Sequence, residues 1–282
     1  MKNILLPTDF SHNAANAITY IMEMYKDDEC TFTFLHAYKV NDFEEGSLLT
    51  PIPRPGLLEA AQREKSAMLQ NLVDDVNGKN SNLKHSFEFI SANKSLVNTV
   101  KEQINKKEID LVVIGTQGHT GADEVVYGSN TVNLMEEIQN CPIMAIPSNV
   151  TFKGLSEIVL ANSFKAELNP RDLHFLAELS EEFRAPVRVL HISEEGGLTE
   201  KQVIHKKILR ERLEKENVNF SFHSLDFLSI PLGIYSFTES RGSELIAFIN
   251  KKHGFFENLL FDPLYKNLAH YSKIPVLVLH QP

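Results

Sequence analysis

Asp110-Leu-Val-Val-Ile-Gly-Thr-Gln-Gly-His-Thr-Gly-Ala-Asp-Glu-Val-Val-Tyr-Gly-Ser-Asn-Thr131 is the stretch that decides the fold. It opens on an apolar run, Leu111 to Ile114, short enough for a buried strand. Gly115, Gly118, Gly121 and Gly128 follow, with Ser129 directly after the last. Val132, Leu134, Met135 and Ile138 then recur at helical spacing. A strand feeding a glycine-rich turn and a helix N-terminus is an anion-binding arrangement. Glycines admit close approach to the backbone, and the first helical N–H groups lack intrahelical partners. The spacing excludes a P-loop, since no Gly-Lys-Ser/Thr occurs here, and it is not the dinucleotide G-x-G-x-x-G.

Outward from this stretch, strands and helices alternate. Strands are expected at 3–6, 32–37, 85–91, 110–114 and 143–146, and helices at about 12–26, 57–77, 95–107 and 129–139. Ser11 is a natural N-cap for the first helix. Residues 38–56 form an irregular connection bearing Pro51, Pro53 and Pro55, read as a surface loop in preference to a lid. The alternation predicts an α/β fold with a doubly wound, mostly parallel sheet. Ligands of such sheets sit beyond the carboxyl ends of the strands, where strand order reverses. Pro7–Asp9 and Gly115, about a hundred residues apart, are therefore expected at one crevice.

The pattern then restarts. Residues 157–164 echo 3–10, and 187–192 echo 32–37 with Leu-His at the same place. A charged helix is expected over 199–216 and a strand at 218–222; 244–249 echo the fourth strand and 274–279 the fifth. A period of about 140–150 residues predicts two copies of one domain, 1–150 and 151–282. The loop chemistry is lost in the second copy. Ile249, Lys252 and Asp262 stand where Gly115, Gly118 and Gly128 stood, Pro263 replaces Ser129, and Ser163 replaces Asp9. An acid repels phosphate and a proline removes an N–H donor.

Composition narrows the function classes. The 282 residues carry a net charge of −9. Residues 1–150 hold 12 Lys+Arg against 20 Asp+Glu, and the rest 16 against 17, so neither half has a nucleic-acid footprint. The apolar runs are too short to span a membrane. The N-terminus does not read as a signal peptide, and Cys30 and Cys141 are expected as reduced thiols in a cytoplasmic protein. No catalytic set or metal-ligand spacing is visible.

Gly115-x-x-Gly118, nine residues, then Gly128-Ser129 resembles the nucleotide loop of the universal stress protein family. The N-terminal strand ending Pro7-Thr8-Asp9 adds a second family element, and the repeat looks like a tandem two-domain member. The resemblance implies two five-stranded Rossmann-like sheets of the adenine-nucleotide α-hydrolase-like class, packed as an internal pseudo-dimer through the last strands. It implies ATP, ADP or AMP, with or without Mg2+, as ligand. Carried over, the binding positions are Pro7, Thr8 and Asp9 near the adenine, Ala37 against the base, and Ile114, Gly115 and Gly118 along the ribose and phosphates. Gly128, Ser129, Asn130 and Thr131 hold the phosphates, with His119 as a further donor. Each has a structural alternative: Asp9 as a helix N-terminal acid, Ser129 as an N-cap, Ala37 and Ile114 as core. One departure is that the nine loop residues contain Asp123 and Glu124 but no Lys or Arg. The expected function is a non-enzymatic, nucleotide-binding stress or signalling module with an unidentified protein partner. The alternative is a nucleotide-independent scaffold. Assembly into a further homodimer is left open.

Overall fold

The computed structural model describes residues 1–40, 56–116, 127–250 and 274–280. The first half runs β1 (Lys2–Pro7), α1 (His12–Met24), β2 (Cys30–Tyr38), α2 (Leu57–Lys79), β3 (His85–Asn93), α3 (Leu96–Lys107), β4 (Leu111–Gly115), α4 (Ser129–Glu137) and β5 (Ile143–Ile146). The second runs β6 (Ile158–Ala161), α5 (Pro170–Glu182), β7 (Val187–Ser193), α6 (Glu200–Lys215), β8 (Phe220–Asp226), α7 (Ile230–Arg241), β9 (Leu245–Asn250) and β10 (Val276–His280).

The ten strands of the described residues form one sheet in the order β3-β2-β1-β4-β5-β10-β9-β6-β7-β8. Each half is thus a doubly wound five-strand unit, and the second repeats the order of the first. Every pairing within a half is parallel, whereas β5 and β10 pair antiparallel with Met144 opposite Leu277. Both of these strands are fully buried. Each covers the open edge of the other, which would otherwise present unpaired N–H and C=O groups. The expected pseudo-dimer is therefore realised as one continuous sheet. Because the junction is antiparallel, the carboxyl ends of the two sets of strands lie at opposite edges.

Strand alternation separates two cores. Ile4, Leu6, Phe32 and Phe34 face α1, α2, α5 and α6; Leu5, Leu35, Val112 and Ile114 face α3, α4 and α7. Each fully buried side chain of this size contributes about 1.5–3 kcal/mol relative to exposure. The first-half elements match expectation to within a few residues. Helices α5 and α7 were not anticipated. The Asn169-Pro170 start of α5 is a legible signal, since Asn169 Oδ1 accepts the Arg171 N–H at 2.9 Å and Pro170 opens the helix. Helix α7 carries Pro231 and Gly233, so packing on the sheet rather than propensity decides it.

The halves also meet through side chains. The Arg171 guanidinium donates to the Ile109 carbonyl at 3.1 Å and the Asn140 carbonyl at 3.2 Å. Lys2 Nζ sits 3.2 Å from Asp28 and 3.0 Å from Glu182 of α5. Burial pushes the Glu182 carboxyl up, against the pull of Lys2.

Candidate functional site

The chain leaves β1 through a tightly bonded turn. The Thr8 N–H donates to Leu35 O at 2.8 Å, and Thr8 O lies 2.8 Å from His36 Nδ1. A carbonyl only accepts, so His36 carries its proton on Nδ1. Thr8 Oγ1 accepts the Phe10 N–H at 3.0 Å, and Phe10 sits at φ 62° with its ring 4.7 Å from that of His36. Asp9 Oδ1 accepts the Ser11 N–H at 3.0 Å, and Ser11 caps α1 by accepting from Ala14 N–H. Asp9 thus shapes the entry to α1, its structural alternative, while also lining the cleft described below.

Gly115 ends β4 for a packing reason that sequence reasoning did not supply. A Cβ there would lie 2.8 Å from Asn13 Cγ, so the glycine admits the α1 side chain. The loop beyond it is closed at its neck by Gly128 N–H to Thr116 O at 2.7 Å. Tyr127, 1% exposed, anchors the return in the core, and burial pushes its phenol up. Gly128 is the N-cap of α4 in extended conformation, and Ser129 is the first helical residue. Ser129 as an N-cap, its structural alternative, is thus not realised, and the helix begins at 129 as expected. Gly128 has no side chain with which to cap the first-turn amides of α4. The Thr131 hydroxyl donates to Gly115 O at 2.8 Å and is buried, so it braces β4 against α4. Gly118 and His119 lie outside the described residues, as do Asp123 and Glu124.

A cleft of about 300 Å³ opens at this edge of the sheet. Of the expected site residues, Pro7, Thr8, Asp9, Ala37, Ile114, Gly115, Asn130 and Thr131 line it. Gly128 and Ser129 stand just behind Asn130 at the same helix start. Ala37 and Ile114 serve both as core and as wall. Sequence reasoning missed His36, Tyr38, Lys39, Lys94, Ser95 and Leu96, which line the β2–β3 side. Their signal was position: they lie in the last residues of β2 or in the short turn from β3 into α3, at the edge where ligands of this fold sit. The arrangement offers a carboxylate at the centre, cations on one flank and helix N–H groups on the other. It suits a ligand with a polar ring and phosphate charge.

At the corresponding edge of the second half the turn is preserved. Asn162 N–H donates to Leu190 O at 2.9 Å, His191 Nδ1 meets Asn162 O at 3.0 Å, and Phe164 N–H donates to Asn162 Oδ1 at 2.7 Å. Phe164, at φ 52°, stacks on His191 with ring centroids 5.1 Å apart. The cleft there shrinks to about 40 Å³. Ile4 pairs with Leu111 and Ile158 with Leu245, so Ile249 does occupy the place of Gly115, and Phe248 that of Ile114. Ile192, two residues after Leu190, takes the place of Ala37. The positions expected to replace Gly118, Gly128 and Ser129, namely Lys252, Asp262 and Pro263, lie outside the described residues.

A family model described as the universal stress protein family matches residues 1–147. A universal stress protein of Methanocaldococcus jannaschii is 24% identical over 155 residues, covering 51% of this chain and 94% of that protein. A universal stress protein structure from Archaeoglobus fulgidus covers 99% of this chain and 96% of its own, at 16% identity and a TM-score of 0.68. Another from Archaeoglobus fulgidus, solved in complex with dAMP, is 22% identical over 44% of this chain and 97% of its own, with a TM-score of 0.33.

Proposed function

The chain belongs to the universal stress protein family, and we propose that its first half is an adenine-nucleotide-binding module. One observation carries the reading. The fold gathers Pro7–Asp9, Ala37, Ile114–Gly115 and Asn130–Thr131, distant in sequence, around a single cleft within the size range of small-ligand pockets, about 300–1,000 Å³. The Asp9 carboxylate accepts from the adenine amine, Ala37 and Ile114 flank the base, and the first-turn amides of α4 meet the phosphates. Mg2+ accompanies the phosphates of ATP and neutralises part of their charge.

In this reading the two halves are two domains of the family, 1–150 and 151–282, and the second is silent. Its wall positions are filled by Ile192, Phe248 and Ile249. In this reading the first domain binds its nucleotide rather than turning it over, with Asp9 engaged at the adenine and in the turn before α1. Nucleotide occupancy at the β1–β4 edge then sets the surface shown to a protein partner in the cytoplasm.

Isothermal titration of the nucleotide-stripped protein with Mg-ATP tests this, beside a Gly118→Asp, Ser129→Asp variant. About one equivalent of binding, abolished in the variant, is the expected result. Two equivalents would make the second half a site as well. No binding at millimolar ATP would leave the interaction scaffold as the function.

A further inference from the structure

The glycine loop lacks Lys and Arg, yet the cleft does not lack cations. Lys39 and Lys94 line it from the β2–β3 side, against one lining carboxylate, Asp9, in a half whose overall balance is strongly acidic. Tyr38 and Asn93 are register partners at the ends of β2 and β3, so the two lysines emerge side by side from adjacent strands. The Val40 N–H donates to Asn93 Oδ1 at 3.1 Å and ties the two segments together. Ser95, the next residue, caps α3, whose first turn adds its N–H dipoles to the same corner. Lys94 is also paired with Glu102 at 2.8 Å, but Glu102 is shared with Lys106 at 2.6 Å, so the cluster keeps a surplus of positive charge. At the matching place in the second half, Glu194 replaces Lys39, and no lysine or arginine lines the small cleft among the described residues.

We propose that Lys39 and Lys94, on the flank facing the α4 amides across the cleft, form its charge-selecting wall, drawing phosphate-bearing ligands in preference to neutral nucleosides through their field rather than by direct phosphate contact, in place of loop cations. The assignment rests on the nucleotide reading of the same cleft. A point charge on a flexible stem favours phosphate without fixing its geometry, so the wall selects by ligand charge rather than by the number of phosphates at one position.

Titrations of the full chain with adenosine, ATP and inorganic tripolyphosphate test the wall, using wild type, a Lys39→Gln, Lys94→Gln double variant and Glu102→Gln. The double variant is expected to lose ATP affinity about 10-fold at low salt while adenosine affinity stays within about twofold, and its ATP binding becomes less salt-dependent. Glu102→Gln, which frees Lys94, is expected to tighten ATP about twofold. Unchanged ATP affinity in the double variant, or equal weakening of adenosine and ATP, overturns the proposal. Should the wild type bind neither adenosine nor ATP, the nucleotide reading fails, and tripolyphosphate decides the wall by itself. Binding weakened about fivefold in the double variant sustains the wall, whereas absent or unaffected binding overturns it.

Discussion

The two halves share a turn and differ in a cleft. Thr8, His36 and Phe10 make the same contacts as Asn162, His191 and Phe164, down to the positive φ of the aromatic residue. Yet the cleft beyond that turn is about 300 Å³ in the first half and about 40 Å³ in the second. The shared network joins the end of one strand to its neighbour, so the fold requires it whatever binds above. The cleft is decided by side-chain volume at three wall positions that the fold leaves open. Gly233 shows how the second half adjusted: a Cβ there would lie 2.8 Å from Ile192 Cδ1. Counting from the Ser95 and Ser229 caps, the first-half counterpart of Gly233 is Thr99, a buried residue that carries the Cβ Gly233 lacks.

The largest expected effect comes from emptying the filled half. Phe248 is 2% exposed, and Phe248→Ala should cost about 3–5 kcal/mol in a denaturant titration. It should not create nucleotide binding, because Ser163 still stands in place of Asp9 and Ile249 in place of Gly115. Binding of ATP to the second half of that variant would break the comparison.

Next comes filling the open half. Ala37→Ile with Thr99→Gly and Ile114→Phe transplants two of the three second-half wall residues into the first, leaving Gly115 in place beside Asn13. Adenine-nucleotide affinity should fall at least 100-fold, about 2.7 kcal/mol, with circular dichroism unchanged. Retained affinity would mean that the ligand does not use this wall.

Smaller, and confined to the second half, is the Glu157 cluster. Glu157 accepts from Arg188 at 2.9 Å, from Ser243 at 2.9 Å and from Arg241. Desolvation would raise its carboxyl, but the hydrogen bonds from Arg241, Arg188 and Ser243 outweigh it and hold the group at about 2, below its ordinary 4.5. A folded value below the unfolded one gives stability that is present above about pH 4.5 and lost as pH falls toward 2. Allowing for screening at the partly exposed arginines, Glu157→Gln should cost roughly 2 kcal/mol at pH 7 and flatten the acid limb of the stability curve. An acid limb identical to wild type would refute this account.

The smallest effect is at the seam. Lys2→Ala removes a cation shared by Asp28 and Glu182, both partly exposed, and should change stability by about 1 kcal/mol or less. A much larger loss on thermal unfolding would mean that this contact, rather than the β5–β10 pairing, holds the halves together.

Much of this was legible beforehand because it rests on local rules. Strand–helix alternation, the glycine spacing and the repeat of Leu-His at 35–36 and 190–191 are properties of the chain. The strand-four echo even placed Ile249 at the position equivalent to Gly115 correctly. Helix α7 was not legible, since its proline and glycine oppose helix propensity and only the sheet beneath it tips the balance. The alternative of Ser129 as an N-cap fell because a cap is defined by backbone angles, and those place Gly128 outside the helix while the helix begins at 129 as expected.

The sequence by itself determined the first-half element order, the recurrence of the strand pattern in the second half, the family and most of the residues that line the cleft, because periodicity and spacing act over a few residues. Only the tertiary structure decided three further things. It made the expected pairing of the last strands an antiparallel β5–β10 junction that runs all ten described strands into one sheet. It made Gly115 a consequence of Asn13, a close approach between α1 and β4. It also brought Lys39 and Lys94 to the cleft, because neighbouring parallel strands end at one edge however far apart they lie along the chain.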